Sequence, residues 1–198
     1  MITVSRFKQD ICRWVVPEEI ANPEDITFGL AIKLLLSHLP LQAMMWYRFG
    51  VWCHKKRIRG IPSFIEKLIA VFYGLELAVA HEIGGGLYIP HPYGTVISVY
   101  RMGENCTVIH DVTIEKRKNS DFPVIGNNVF VGAGARILGG VFIGDNAVIG
   151  ANAVVIEDVP PGATAVGVPA KVISIRDVSS DRDIPSELDA VIPEMSMN

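Results

Sequence analysis

The chain has 198 residues, 49% of them hydrophobic, and a mean hydropathy of +0.33, enough to bury the core of one compact unit or two small ones. Eighteen basic against 21 acidic residues leave a net charge of −3, which argues against a general nucleic-acid surface. Three unevenly spaced cysteines, Cys12, Cys53 and Cys106, lack any C-x-x-C or histidine companion pattern, so neither a disulfide framework nor a zinc site is expected and a reducing cytosol fits best.

The opening MITVSRFKQDICRW carries Arg6, Lys8, Asp10 and Arg13 and no long apolar run, unlike a secretory signal. Residues 24–75 hold three apolar runs broken by Pro40, Gly60 and Pro62, which read as three short helices. Asn22, Pro23, Glu24 and Asp25 supply a cap, a first-turn proline and dipole-facing acids for the first of them. Each run falls short of the ~20 apolar residues of a membrane span. HKKRIRG, with Lys55, Lys56, Arg57 and Arg59, sits beside Trp46, Tyr47 and Trp52. Basic charge next to apolar helix faces is what an in-plane helix needs at an anionic leaflet. Packing of residues 26–75 on the rest of the protein or on another subunit would explain the same runs.

From residue 83 a period of six takes over. Ile125, Val131, Ile137, Ile143, Ile149 and Val155 recur without a miss, and the fifth position of each segment is also small or aliphatic: Val129, Ala135, Val141, Ala147, Ala153 and Val159. A helix gives a period near 3.6 and a strand a period of two, so six marks a repeat architecture. Six residues make one flat face of a triangular coil with the aliphatic pointing inward, and eighteen complete a circuit. Glycine and asparagine at the next positions suit corners with left-handed backbone. The register extends back through Ile114, Val108, Met102, Ile89 and Ile83, giving about four coils over 83–160. TVISVYR at 95–101 carries one residue too many, and IEKRKNSDFPV at 114–124 carries five, which must leave the coil as a loop. The tail from Arg176 is charged, turn-rich and weakly periodic. The expected organisation is a helical region over 1–75, a β-helix over 76–173 and a polar tail over 174–198.

In coil register His91 and His110 occupy equivalent positions of adjacent coils, with Ala133 next in the column. Two stacked imidazoles beside an extruded loop suit a general base, since histidine titrates near neutral pH. Exposed filler or a cation site are the other readings of such a pair.

These segments resemble the serine acetyltransferase family over roughly residues 74–173. IGGGLYIPH ends at His91 with Glu76 fifteen positions earlier, VFVGAGARILGG spans 129–140, and VPPGATAVGVPAKVI spans 159–173. The resemblance implies a left-handed parallel β-helix of hexapeptide repeats, assembled as a homotrimer with sites between subunits. It also implies an acetyl-CoA-dependent O-acetyltransferase needing no metal, in which His91 deprotonates the acceptor hydroxyl and Glu76 orients the imidazole. His110 or a backbone N–H would stabilise the oxyanion. Acetyl-CoA would run past Gly132, Ala133, Gly134 and Ala151, with Lys171 near a CoA phosphate. The γ-class carbonic anhydrases hold zinc between subunits of this fold, but their H-x-x-x-x-H spacing is missing here.

Three positions depart from the family's serine-holding set: Pro90, Asp121 and Phe122. This short form resembles the relatives associated with surface polysaccharide synthesis. The favoured expectation is therefore a saccharide acceptor, met by Phe122 stacking and Asp121 accepting hydroxyl hydrogen bonds, at the inner face of the membrane or free in the cytoplasm. The alternative is serine itself, in cysteine biosynthesis. A metal-dependent hydratase and a non-catalytic scaffold are the remaining rivals.

Overall fold

The computed structural model describes residues 2–15, 25–118 and 121–175. Asn22, Pro23, Glu24 and the tail from 176 onward lie outside the described residues. Four helices come first: α1 (Ile2–Cys12), α2 (Phe28–Ser37), α3 (Leu39–Lys55) and α4 (Ile61–Tyr73). The three expected helices are α2 to α4; α1 is an addition. The N-cap of α2 is Thr27, whose side chain accepts from the Leu30 amide, and not Asn22. Pro40 and Pro62 sit in the first turns of α3 and α4, where a missing N–H costs nothing. Helix α4 ends on Gly74 at φ 62°. A side chain there would be strained, and its Cβ would also collide with the ring of Tyr93. No single helix is long and apolar enough to cross a membrane among the described residues.

Helix α4 feeds directly into a parallel β-helix. Face one stacks β1 (Leu75–Leu77), β3 (Thr95–Ile97), β6 (Thr113–Glu115), β9 (Arg136–Leu138) and β12 (Val154–Val155). Face two stacks β2 (Glu82–Ile83), β4 (Arg101–Met102), β7 (Val124–Ile125) and β10 (Phe142–Ile143). Face three stacks β5 (Thr107–Val108), β8 (Phe130–Val131), β11 (Val148–Ile149) and β13 (Ala163–Gly167), with Tyr88 bridging below to Thr107. The last strand, β14 (Ala170–Ile175), turns back antiparallel along β13. Circuits begin at Leu75 and end near Gly167, so there are five coils where the sequence period indicated about four.

The six aliphatics of the repeat point inward, each at most 1% exposed, and their fifth-position companions are buried with them. Burying each Ile or Val contributes roughly 1.5–3 kcal/mol. Corner residues Asn128 and Asn146 adopt φ 54° and 59°, the left-handed backbone the repeat requires.

The register locates the first irregularity differently from the sequence count. Eight residues separate Tyr88 from Val96, whereas six separate Thr107 from Thr113, Phe130 from Arg136 and Val148 from Val154. From Val96 to Arg101 there are then five, where Arg136 to Phe142 takes six. Two residues are inserted at the corner holding His91 and one is lost on the next face. Counting along the sequence returns only their sum. The second irregularity is as expected, since Thr113 to Val124 takes eleven residues and the chain leaves the coil between them.

Helix α1 is pinned to the first coil by a buried ion pair. Arg48 of α3 donates from Nε and Nη2 to the two carboxylate oxygens of Asp10, at 2.7 and 2.9 Å, and from Nη1 and Nη2 to the carbonyls of Ile83 and Gly84 respectively. Asp10 also accepts from the Leu87 amide at 3.0 Å. Burial pushes the Asp10 carboxyl up, against the pull of the Arg48 charge and these hydrogen bonds. Burial works against the Arg48 charge too, and the carboxylate more than offsets it. Each polar atom has a partner, which is what makes a buried pair tolerable.

Candidate active site

The corner between faces three and one carries the histidine column. Tyr88 pairs with Thr107, and Thr107 with Phe130, which aligns His91, His110 and Ala133 one above another. The rings of His91 and His110 lie edge to face, 6.1 Å between centroids, and both side chains are exposed. Ala133 is partly exposed and Ala151 exposed at the same corner of the coils above, leaving a shallow step over the imidazoles.

His91 stands in the two-residue insertion. Higher up, the amide following each column residue bonds the column carbonyl one coil below: Gly134 to His110, and Asn152 to Ala133. At the first step the Asp111 amide bonds Tyr93 instead of His91. A bulge of this kind unhooks a residue from the ladder and re-aims it. The sequence places His91 in the right column, and shows the bulge only as a surplus of one residue assigned to 95–101.

Glu76 projects outward from β1, beside Val96 of β3, the strand that the His91 corner leads into. In the same outward column two coils beyond Val96, Arg136 reaches back to the Asp111 carbonyl and carboxylate. A long side chain in this column therefore spans to the histidine corner. Glu76 itself makes no hydrogen bond or ion pair among the described residues, so the expected Glu76–His91 contact is not present in the isolated chain.

Gly132 and Gly134 sit on the same corner, and stacking alone accounts for them. A Cβ on Gly132 would lie 2.6 Å from the Ala151 nitrogen, and Gly134 has φ 71°. Lys171, at the opposite end of the β-helix from the helices, pairs with Glu157 at 3.1 Å.

The remaining site residues divide between two edges of the prism. Pro90 adjoins His91, but Asp121 and Phe122 end the loop between faces one and two, a different edge of the triangular prism. The Phe122 ring meets His81 edge to face at 5.0 Å, and the Lys116 ammonium lies 5.3 Å from its centroid. It is not the bare apolar platform that saccharide stacking presumes. A cleft of about 240 Å³ lined by Arg6, Tyr47, His54, His81 and Glu82 opens at this second edge, not at the histidines. Among the described residues no group of three or more histidine, cysteine or acidic side chains is placed to hold a metal.

Comparison with known proteins places this geometry. Residues 122–157 match the family model described as bacterial transferase hexapeptide (six repeats). A serine acetyltransferase of Helicobacter pylori strain J99 is 40% identical over 146 residues, covering 72% of this chain and 85% of that protein. A solved serine acetyltransferase from Neisseria gonorrhoeae in complex with serine superimposes with a TM-score of 0.72 at 29% identity, over 85% of this chain and 68% of that one. A solved serine acetyltransferase in complex with CoA superimposes with a TM-score of 0.71 at 26% identity, over 86% of this chain and 69% of that one.

Proposed function

Taking as premise that the chain belongs to the serine acetyltransferase family and is an acyltransferase, we propose that it moves acetyl from acetyl-CoA to the hydroxyl of serine. His91 accepts the hydroxyl proton as the oxygen attacks the thioester carbonyl. The tetrahedral oxyanion is held by His110 or a backbone N–H, and it collapses with loss of the CoA thiolate, which takes up a proton. Glu76 orients the imidazole and stabilises its charged form, as the acid of a hydrolase triad does. The CoA arm passes the small-residue step of Gly132, Ala133, Gly134 and Ala151.

The observation that carries this reading is the His91–His110 pair in coil register, within a chain that matches a serine acetyltransferase over most of its length. The relatives favour serine over the saccharide that Pro90, Asp121 and Phe122 suggest by themselves, and the engagement of Phe122 by His81 and Lys116 removes the main support for stacking.

Two edges of one prism carry the proposed machinery, the histidines on one and the Asp121–Phe122 loop on another. They can line a common cleft only when the edge of one copy meets a different edge of the next. A closed three-fold ring satisfies this at every contact, giving a homotrimer with three equivalent sites. The free thiols Cys12, Cys53 and Cys106 fit a reducing compartment, and we place the enzyme in the cytoplasm. The test is purified protein with acetyl-CoA and L-serine, following thiol release and product mass. O-Acetylserine is the expected product, and turnover of saccharides alone would overturn the reading.

A further inference from the structure

The turn between α3 and α4 joins two features that rarely coincide on a soluble surface. On α3, Trp46, Phe49 and Trp52 form a ladder along one side, with Phe49 and Trp52 stacked at 5.9 Å. Trp52 is 43% exposed and leads into a turn where Ile58 and Ile61 are also exposed, followed on α4 by Phe64 at 64%. Between these apolar groups stand Lys55, Lys56, Arg57 and Arg59, all exposed, and none makes an ion pair among the described residues.

The charge around the turn is lopsided. Residues 26–75 contain seven lysines and arginines against a single acid, Glu66, in a chain whose overall charge is −3. Glu66 is itself taken up by the Val79 amide. Helix α4 buries Ile65 and Ile69 on its inner side and still exposes Phe64, Val71 and Phe72 on its outer side. Core packing explains the first set and leaves the second without a partner among the described residues.

We propose that the α3–α4 turn docks on an anionic lipid surface, with Trp52, Ile58, Ile61 and Phe64 entering the headgroup boundary and the four cations pairing with lipid phosphates. An exposed aromatic and aliphatic tip ringed by unpaired cations complements such a leaflet in both polarity and charge. A second copy presenting the same turn would set positive charge against positive charge. The rest of the chain holds 11 basic against 20 acidic residues, so contact of the turn with another copy's body is the competing occupant, which the sedimentation arm of the test separates from lipid. The chain lies on the membrane and does not cross it.

The test is flotation of the full-length protein with vesicles of phosphatidylcholine alone and with added phosphatidylglycerol. Binding is expected only with phosphatidylglycerol at ~0.02 M salt and is lost at ~0.5 M. Lys56→Gln with Arg59→Gln is expected to weaken partitioning about 30-fold, and Phe64→Ser to weaken it at unchanged salt dependence. Circular dichroism and acetyl transfer to serine should stay at the native level in both variants. Failure to bind anionic vesicles at low salt, or binding unaffected by either variant, overturns the proposal. So does sedimentation showing copies paired through this turn and separated by Phe64→Glu, which would make a second copy the occupant.

Discussion

Replacing Arg48 by Met removes a guanidinium that makes four hydrogen bonds while only 3% exposed, beside an Asp10 that is fully buried. What remains is a carboxylate held only by main-chain amides, including that of Leu87, and two carbonyls, of Ile83 and Gly84, stripped of this donor. Breaking a buried pair by deleting one partner costs about 3–5 kcal/mol, which in a chain of this size lowers the melting temperature by roughly 6–20 °C. Often a buried pair can be exchanged for apolar residues at little cost. Here it cannot, because Asp10→Leu with Arg48→Met still orphans the Leu87 amide and the Ile83 and Gly84 carbonyls, at about 1–3 kcal/mol each for those that stay buried. Urea unfolding at fixed protein concentration would measure both variants. A loss below about 1 kcal/mol in the single variant, or full recovery in the double, would refute this account of how α1 is held.

Gly132→Ala places a Cβ 2.6 Å from the Ala151 nitrogen, a main-chain atom of the next coil that cannot step aside, and should cost about 1–3 kcal/mol in thermal unfolding. An unchanged melting temperature would show that the coils can separate there. Glu76→Gln should change stability by less than about 0.5 kcal/mol, because Glu76 is exposed and unpartnered among the described residues, while lowering turnover less than loss of His91 does. If the variant unfolds, Glu76 is structural and the proposed dyad is wrong. Burial pushes the Cys106 thiol up to about 11, so native protein at pH 8 should resist alkylation there and react once unfolded. Mass mapping of rapid labelling at Cys106 in the folded state would contradict that burial.

Much of the β-helix is legible because its periodicity is forced by geometry. Only inward aliphatics every six residues can fill the interior, so Ile125 to Val155 announce both the fold and the column in which His91 and His110 meet. Insertions at corners leave a weaker trace. The two extra residues around His91 and the one lost after Val96 cancel to a single surplus, so sequence counting puts the defect on the wrong face. The first coil is missed because Leu75, Leu77 and Val79 follow an apolar helix without interruption, and the period is visible only once the glycine-rich corners begin. The Asp10–Arg48 pair joins residues 38 apart on different helices. Its one signal is an arginine inside the apolar run MMWYRFGVWC, which has no reason to be there unless it is paired. Asp121 and Phe122 are correctly assigned to an extruded loop, but a linear alignment cannot show that this loop occupies a different edge of the prism from His91.

The central claim is that His91, set in its bulged corner, is the base that activates serine. It is tested most directly by steady-state kinetics of O-acetylserine formation from acetyl-CoA and L-serine, comparing the native protein with His91→Ala. The account predicts O-acetylserine as the native product, with turnover falling by about 10²–10⁴-fold in the variant at nearly unchanged acetyl-CoA affinity. Near-native turnover by the variant, or no O-acetylserine from the native enzyme while a saccharide is acetylated, would contradict it.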